Sequence, residues 1–298
     1  MKSFLLLIIS FIAVHSFAQI AKPSSGTIQR FENFPSNYIQ PRNVDVWLPE
    51  NYDAAKKYAV LYMHDGQMLF DSSITWNKQE WQVDETISKL IGSKKIKSCI
   101  VVGIWNNGEY RHAEYFPAKA LAYLPDTIKA TVVKQNLKNN AQADNYLKFI
   151  TQELKPFIDS AFSTYTNKAN TFIAGSSMGG LISMYAICEY PKVFGGAACL
   201  STHWIGAIQQ KNDYIPTAFA EYMVSNLPNP KNHNIYFDYG TIELDSLYKR
   251  HQLKVDAIML KKGYKSKRWI TKEFVGENHS EKAWAKRLEI PISFLLNK

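Results

Sequence analysis

The chain has 298 residues, of which 46% are hydrophobic, 13% aromatic and 20% charged. That much apolar surface can offset the conformational entropy lost on folding, which excludes collagen-like, low-complexity and largely disordered classes. Its 35 Lys and Arg outnumber 26 Asp and Glu, and the resulting charge of +9 bears on solubility and acidic partners but not on fold.

Residues 1–18 read MKSFLLLIISFIAVHSFA. Lys2 supplies a positive start, Phe4 to Val14 are apolar apart from Ser10, and Ser16 and Ala18 are the small residues a signal peptidase requires. The stretch is too short to cross about 30 Å of hydrocarbon. A cleavable secretory signal is expected, with the mature chain starting at Gln19 in a secreted or periplasmic location and no stable membrane anchor. Cys99, Cys188 and Cys199 lie in apolar runs and are expected to be small buried hydrophobes, not a disulfide framework.

From Gln19 onward no linker or internal repeat divides the chain, and one domain over 19–298 is expected. Val44–Leu48 and Tyr58–Met63 read as strands, the second (YAVLYM) apolar enough for burial on both faces. Trp81–Ile91 reads as a helix, Cys99–Trp105 as a buried strand, and Asn145–Phe162 as a long amphipathic helix. Asn170–Gly175 is a strand that runs into a helix continuing through Leu181 to Tyr190. Gly195–Leu200 follows as a strand, Pro216–Ser225 as a helix and Ile235–Tyr239 as a strand. Leu244–Lys262 is a helix, Trp269–Val275 a strand and Glu281–Leu296 a closing helix that Pro291 must end or bend. Strands alternating with helices predict an α/β fold with a mostly parallel central sheet covered on both faces. Ligands of such sheets bind at the carboxyl ends of the strands.

Gly175-Ser176-Ser177-Met178-Gly179-Gly180 satisfies Gly-x-Ser-x-Gly between a strand and a helix. A tight turn there lifts the hydroxyl of Ser177 off the sheet and leaves the Met178 N–H facing the same space, where it can hold an oxyanion. Ser176 has the wrong spacing to the glycines. A serine hydroxyl needs a base, and among the histidines beyond the signal only His279 follows the last strand and precedes the closing helix. The base needs a carboxylate. Asp245 is preferred and Glu243 stays the alternative, both just beyond Gly240, whereas Asp238 lies inside its strand. The order serine, acid, histidine is that of α/β-hydrolases.

The strand YAVLYM is followed by His64-Asp65-Gly66-Gln67, a loop expected to supply a second oxyanion donor. With VVGIWNNGEYRHAEYFP, AGSSMGG, IYFDYGTIELD and GENHSEKAW, these segments resemble the putative-esterase family of α/β-hydrolases. That family includes esterase-D-like, feruloyl, carbohydrate and enterochelin esterases and the antigen 85 acyltransferases. The resemblance implies the α/β-hydrolase fold, a Ser177/His279/acid triad, and an oxyanion hole made by the backbone N–H groups of Gln67 and Met178. His64 and Asp65 are adjacent at a strand end and are expected to shape the loop.

The polar, aromatic-dotted span between Trp105 and Asn145 begins at the site edge of the sheet. Trp105, Arg111 and Tyr115 are candidate substrate contacts, against the alternative that Arg111 and Glu114 simply pair. Trp76, Trp81 and Trp204 either line the cleft or pack. The basic run KKGYKSKR at 261–268 falls at the opposite end of the sheet. No metal, nucleotide or nucleic-acid motif is present, so neither a cofactor nor a nucleic-acid partner is implied. The expectation is an exported serine esterase acting on a carbohydrate-, feruloyl- or siderophore-type ester, a small molecule or a glycan. The rivals are an acyltransferase to a sugar or lipid hydroxyl and a non-catalytic glycan- or siderophore-binding protein.

Overall fold

The computed structural model describes residues 19–207 and 212–297, so the expected secretory segment lies outside the described residues. One sheet is built from β1 (Thr27–Phe34), β2 (Arg42–Leu48), β3 (Ala59–His64), β4 (Cys99–Ile104), β5 (Thr171–Ser176), β6 (Gly196–Leu200), β7 (Asn234–Gly240) and β8 (Trp269–Phe274). Their spatial order is β1-β2-β4-β3-β5-β6-β7-β8. β2 runs antiparallel to β1 and to β4, and every pair from β4 to β8 is parallel. This is the mostly parallel α/β architecture that the alternation of elements implies.

The apolar runs explain the centre of the sheet. β3, β4, β5, β6 and β7 are buried along their whole length. Because side chains alternate between faces, Val60, Tyr62, Ile173, Ala197 and Phe237 join one core cluster. Their neighbours Leu61, Met63, Phe172, Ala198 and Tyr236 join the other. The helix Met178–Glu189 is buried at every position but its last, and with Tyr214–Asn226 and Lys249–Lys261 it covers the first face. Val83–Gly92 and Glu289–Leu295 cover the second. None of the helices among the described residues is long and apolar enough to cross a membrane.

All seven expected strands are present, and β1 adds an eighth at the edge. Half its side chains stay in water, so no apolar run announces it. The expected helix at Trp81 starts at Val83, because Gln82 takes a left-handed backbone (φ 53°) and turns Trp81 away. The expected Asn145–Phe162 helix spans Ala143–Ala161 and widens to a π-helix over Phe149–Leu154. Pro156 follows that widening and has no N–H to offer the carbonyl four residues back. The closing helix breaks at Leu288, between Glu281–Arg287 and Glu289–Leu295. That is one turn before Pro291, whose ring excludes the preceding helical turn. The expected Leu244 start becomes a 3-10 turn, Glu243–Leu247, ahead of Lys249–Lys261.

β3 leads outward to β4, and the chain then crosses back to β5 on the other side of β3. The carboxyl ends of β3 and β5 therefore flank the point where the winding reverses, and a crevice opens there. The basic run 261–268 precedes β8 and sits at the other end of the sheet.

Candidate active site

Ser177 stands between β5 and the helix Met178–Glu189 with φ 57° and ψ −123°. A side chain in this region costs roughly 1–3 kcal/mol and persists only where the surroundings enforce it. The enforcing bonds are visible. The Ser177 N–H donates to Leu200 O at 3.0 Å, and Ser177 O accepts from the amides of Gly180 (3.0 Å) and His203 (3.1 Å). Gly175 is required because a Cβ there would lie 2.8 Å from the Gly179 backbone. Ser176, the rival hydroxyl, is buried.

His279 and Asp245 meet at 2.6 Å, Nδ1 to Oδ1. Asp245 is fully buried in the turn after β7, and its Oδ2 accepts the Gly240 N–H at 2.6 Å. Burial pushes its pKa up, but hydrogen bonds from His279, Ser201 and Gly240, together with the charge of His279, outweigh burial and hold it below the ordinary carboxylate value. An ionised carboxylate only accepts, so Nδ1 carries a proton toward Asp245, and in the neutral ring Nε2 is the nitrogen with the free lone pair. Glu243, the alternative acid, is exposed on a left-handed backbone (φ 52°) and points elsewhere. The His279 ring is fixed edge-on by Trp284 (centroids 5.0 Å apart, 85°) and by Tyr248 (5.9 Å, 69°).

Ser177 and His279 line one cavity of about 550 Å³ together with Gln67, Met68, Trp76, Trp81 and Arg111. Met178 opens its helix, so its amide is among those no helical carbonyl can reach. Gln67 sits in the 3-10 turn Gly66–Met68 directly after β3, where Asp65 bends the chain at φ 56°. Arg111 clamps that bend: its Nε and Nη2 donate to the two Asp65 oxygens at 2.7 Å each, and Asn106 Nδ2 donates to Oδ1 at 2.7 Å. Burial raises the Asp65 pKa, and the Arg111 charge with these bonds brings it below the usual range. His64 is driven to about 3 by burial, so it stays neutral and is no rival base; its Nδ1 lies 2.8 Å from the Tyr146 hydroxyl.

Of the three candidate substrate contacts, Arg111 lines the cavity and the other two do not. Trp105 turns toward the sheet edge, where its indole N–H donates to Asp45 at 2.8 Å and Arg30 lies over its ring at 4.5 Å. Tyr115 is buried behind the site among His64, Tyr146 and Arg111. Glu114 pairs with Arg42, not with Arg111. Trp76 and Trp81 line the cavity, whereas Trp204 packs inside and donates to Gln252. The three cysteines are free thiols and buried.

The structure adds residues that the sequence pattern leaves unmarked. Tyr248 reaches the Ser177 side chain, and its hydroxyl lies 2.7 Å from His203 Nδ1. Ser201 and Trp284 contact the Asp245–His279 pair. Ser201 immediately follows β6, and its place at a strand's carboxyl end is the one signal that could have singled it out.

A family model described as Putative esterase matches residues 36–289. The uncharacterized protein YjcH of Bacillus subtilis (strain 168) is 23% identical over 228 residues, covering 75% of this chain and 76% of its own. Among solved structures, a ferulic acid esterase superposes with a TM-score of 0.64 at 18% identity over 91% of this chain and 98% of its own. A mutant of the feruloyl esterase module from Clostridium thermocellum, complexed with sinapinate, gives 0.63 at 17% identity over 92% and 89%. These superpositions establish the fold as that of α/β-hydrolases, and the family match extends over most of the chain. The chain therefore belongs to the Putative esterase family and is a carboxylic ester hydrolase.

Proposed function

We propose that the chain is an exported serine esterase, one α/β-hydrolase domain from Gln19 onward, working through an acyl-enzyme. His279 Nε2 takes the proton of Ser177 as its oxygen attacks the ester carbonyl. Asp245 holds the imidazole in the required tautomer and stabilises the imidazolium. The amides of Gln67 and Met178 receive the oxyanion, and the imidazolium gives its proton to the alcohol as the ester C–O bond breaks. A water deprotonated by His279 then attacks the acyl-enzyme and releases the acid with Ser177 reprotonated. The observation that carries this reading is the 2.6 Å His279–Asp245 contact beside a serine whose backbone is forced to φ 57° in the same cavity.

The walls favour a flat or aromatic substrate. Trp81 and Trp284 pack with ring centroids 5.2 Å apart, tilted by 37°, Trp76 is 84% exposed at the rim, and Arg111 with Asn106 lines the polar side. A feruloyl-type acyl group or the apolar face of a sugar fits such indoles, so feruloylated or otherwise acylated glycans and aryl siderophore esters are the proposed substrates. Ser177→Ala is expected to abolish hydrolysis of an activated aryl ester and labelling by a fluorophosphonate while leaving the circular dichroism spectrum unchanged. Wild-type turnover in that variant would overturn the assignment.

A further inference from the structure

Behind the Asp245–His279 pair lies a buried polar cluster drawn from three separate elements. Ser201 follows β6 at φ 40° and is fully buried. Its oxygen accepts the Trp284 indole N–H at 3.0 Å and an Arg287 Nη2–H at 2.8 Å. A hydroxyl has two lone pairs and one proton. With both lone pairs occupied, the proton has one direction left, toward Asp245 Oδ2 at 2.5 Å. That bond and the one from the Gly240 N–H saturate Oδ2 and turn Oδ1 to His279.

Arg287 is itself immobilised. Its Nε donates to Asp238 Oδ2 at 3.2 Å and its Nη2 to Oδ1 at 2.9 Å, while the guanidinium lies 4.8 Å over the Phe274 ring. Asp238 also accepts the Ser201 N–H and the Tyr236 hydroxyl, each at 3.0 Å. Burial raises the Asp238 pKa, opposed by the Arg287 charge and the bonds from Ser201, Arg287 and Tyr236. With both carboxylates ionised, Asp238, Asp245 and Arg287 together carry one net negative charge. An imidazolium forming on His279 neutralises that charge in a site with little water, where such compensation counts for more than at the surface.

We infer that Ser201 is a positioning residue for ester hydrolysis. Anchored by Arg287 and Trp284, it delivers its only proton to Asp245 and so fixes the plane of the carboxylate that orients His279. The inference rests on the proposed Ser177/His279/Asp245 triad. Trp284 also lines the substrate cavity, so the same hydroxyl ties the acid to the substrate wall.

The test uses three substitutions at one position, read by kcat, KM, fluorophosphonate labelling rate and melting temperature. Ser201→Ala removes the hydroxyl and keeps the backbone as it is. Ser201→Gly also removes it, while relaxing the left-handed strain. Ser201→Thr keeps a hydroxyl but adds a β-branch that this backbone disfavours. Loss of a hydrogen bond to a charged group predicts a fall of about 10- to 100-fold in kcat for both Ala and Gly, with KM unchanged and labelling slowed in parallel. Thr is expected to melt lowest and yet keep most of its turnover. A kcat that tracks melting temperature instead of the hydroxyl, or Ala and Gly variants with wild-type kcat, would overturn the inference. Should Thr fail to fold, the Ala and Gly pair decides alone, because Gly relieves strain and restores nothing else. An active Ser177→Ala would instead bring down the triad reading beneath it.

Discussion

At the scale of single residues, two carboxylates within three positions of each other have opposite fates because of their backbones. Asp245 is drawn inward by the Gly240 amide, the Ser201 hydroxyl and His279. Glu243, at φ 52°, is left in solvent. Gly240 makes this possible, since a Cβ there would stand 2.1 Å from Glu277 O and 2.9 Å from Asp245 Oδ2. Asp245→Asn keeps the size but puts an amide against the Nδ1–H, which favours the wrong tautomer; kcat is expected to fall by about 10³–10⁴-fold. Glu243→Gln is expected to leave kcat and KM unchanged. Steady-state kinetics on an aryl ester with both variants checks the assignment, and the reverse ranking would transfer the acid's role to Glu243.

At the scale of elements, the helix Val83–Gly92 carries two acids in its first turn, and they fasten the segment at Ser24 and Ser25 to the second face of the sheet. Asp84 Oδ2 accepts the amides of Ser24 (2.6 Å) and Ser25 (3.2 Å), and Glu85 Oε1 accepts the Ser24 hydroxyl (2.8 Å). Their other oxygens, Asp84 Oδ1 and Glu85 Oε2, are buried without a hydrogen-bond partner. Burial, and then the neighbouring Glu85, push Asp84 up to about 7. The folded state therefore holds a proton between about pH 4 and 7 that the unfolded chain releases, so this pair adds stability as pH falls through that window. Asp84→Asn keeps an acceptor for the two serine amides and supplies a permanent donor to Glu85. Its melting temperature is expected to exceed the wild type's most at pH 8, with the gap closing toward pH 5. A gap independent of pH would show that the two acids do not share a proton. None of this is legible in the sequence, where Asp84 and Glu85 look like ordinary complements of a helix dipole. The same limit hides the short helices Arg111–Tyr115 and Asp126–Asn136. The second of them buries only Val132, so no apolar stripe marks it.

At the scale of the whole molecule, the legible features are those fixed by local chemistry. Apolar runs mark the buried strands, and the order of strand ends places Ser177, the acid and His279 on one edge. Features that depend on distant partners stay hidden, as with Arg287 meeting Ser201 across 86 positions or Trp105 being captured by Asp45 and Arg30. Long-range burial also sets the acid tolerance of the protein. His64, His203 and His251 are all buried, and burial foremost lowers them to about 3, 3 and 4. Their unfolded value is near 6.5. Below that pH the unfolded chain takes up protons that the folded state refuses, so each histidine removes about 1.4 kcal/mol of stability per pH unit until its folded value is reached. Asp84 acts with the opposite sign over much of the same range. Urea midpoints are therefore expected to fall from pH 7 to pH 4.5 in the wild type and to fall more steeply, by about one further proton, in Asp84→Asn. Equal slopes in the two proteins, or a midpoint that rises on acidification, would contradict the assignment of three neutral buried histidines opposed by one protonated acid.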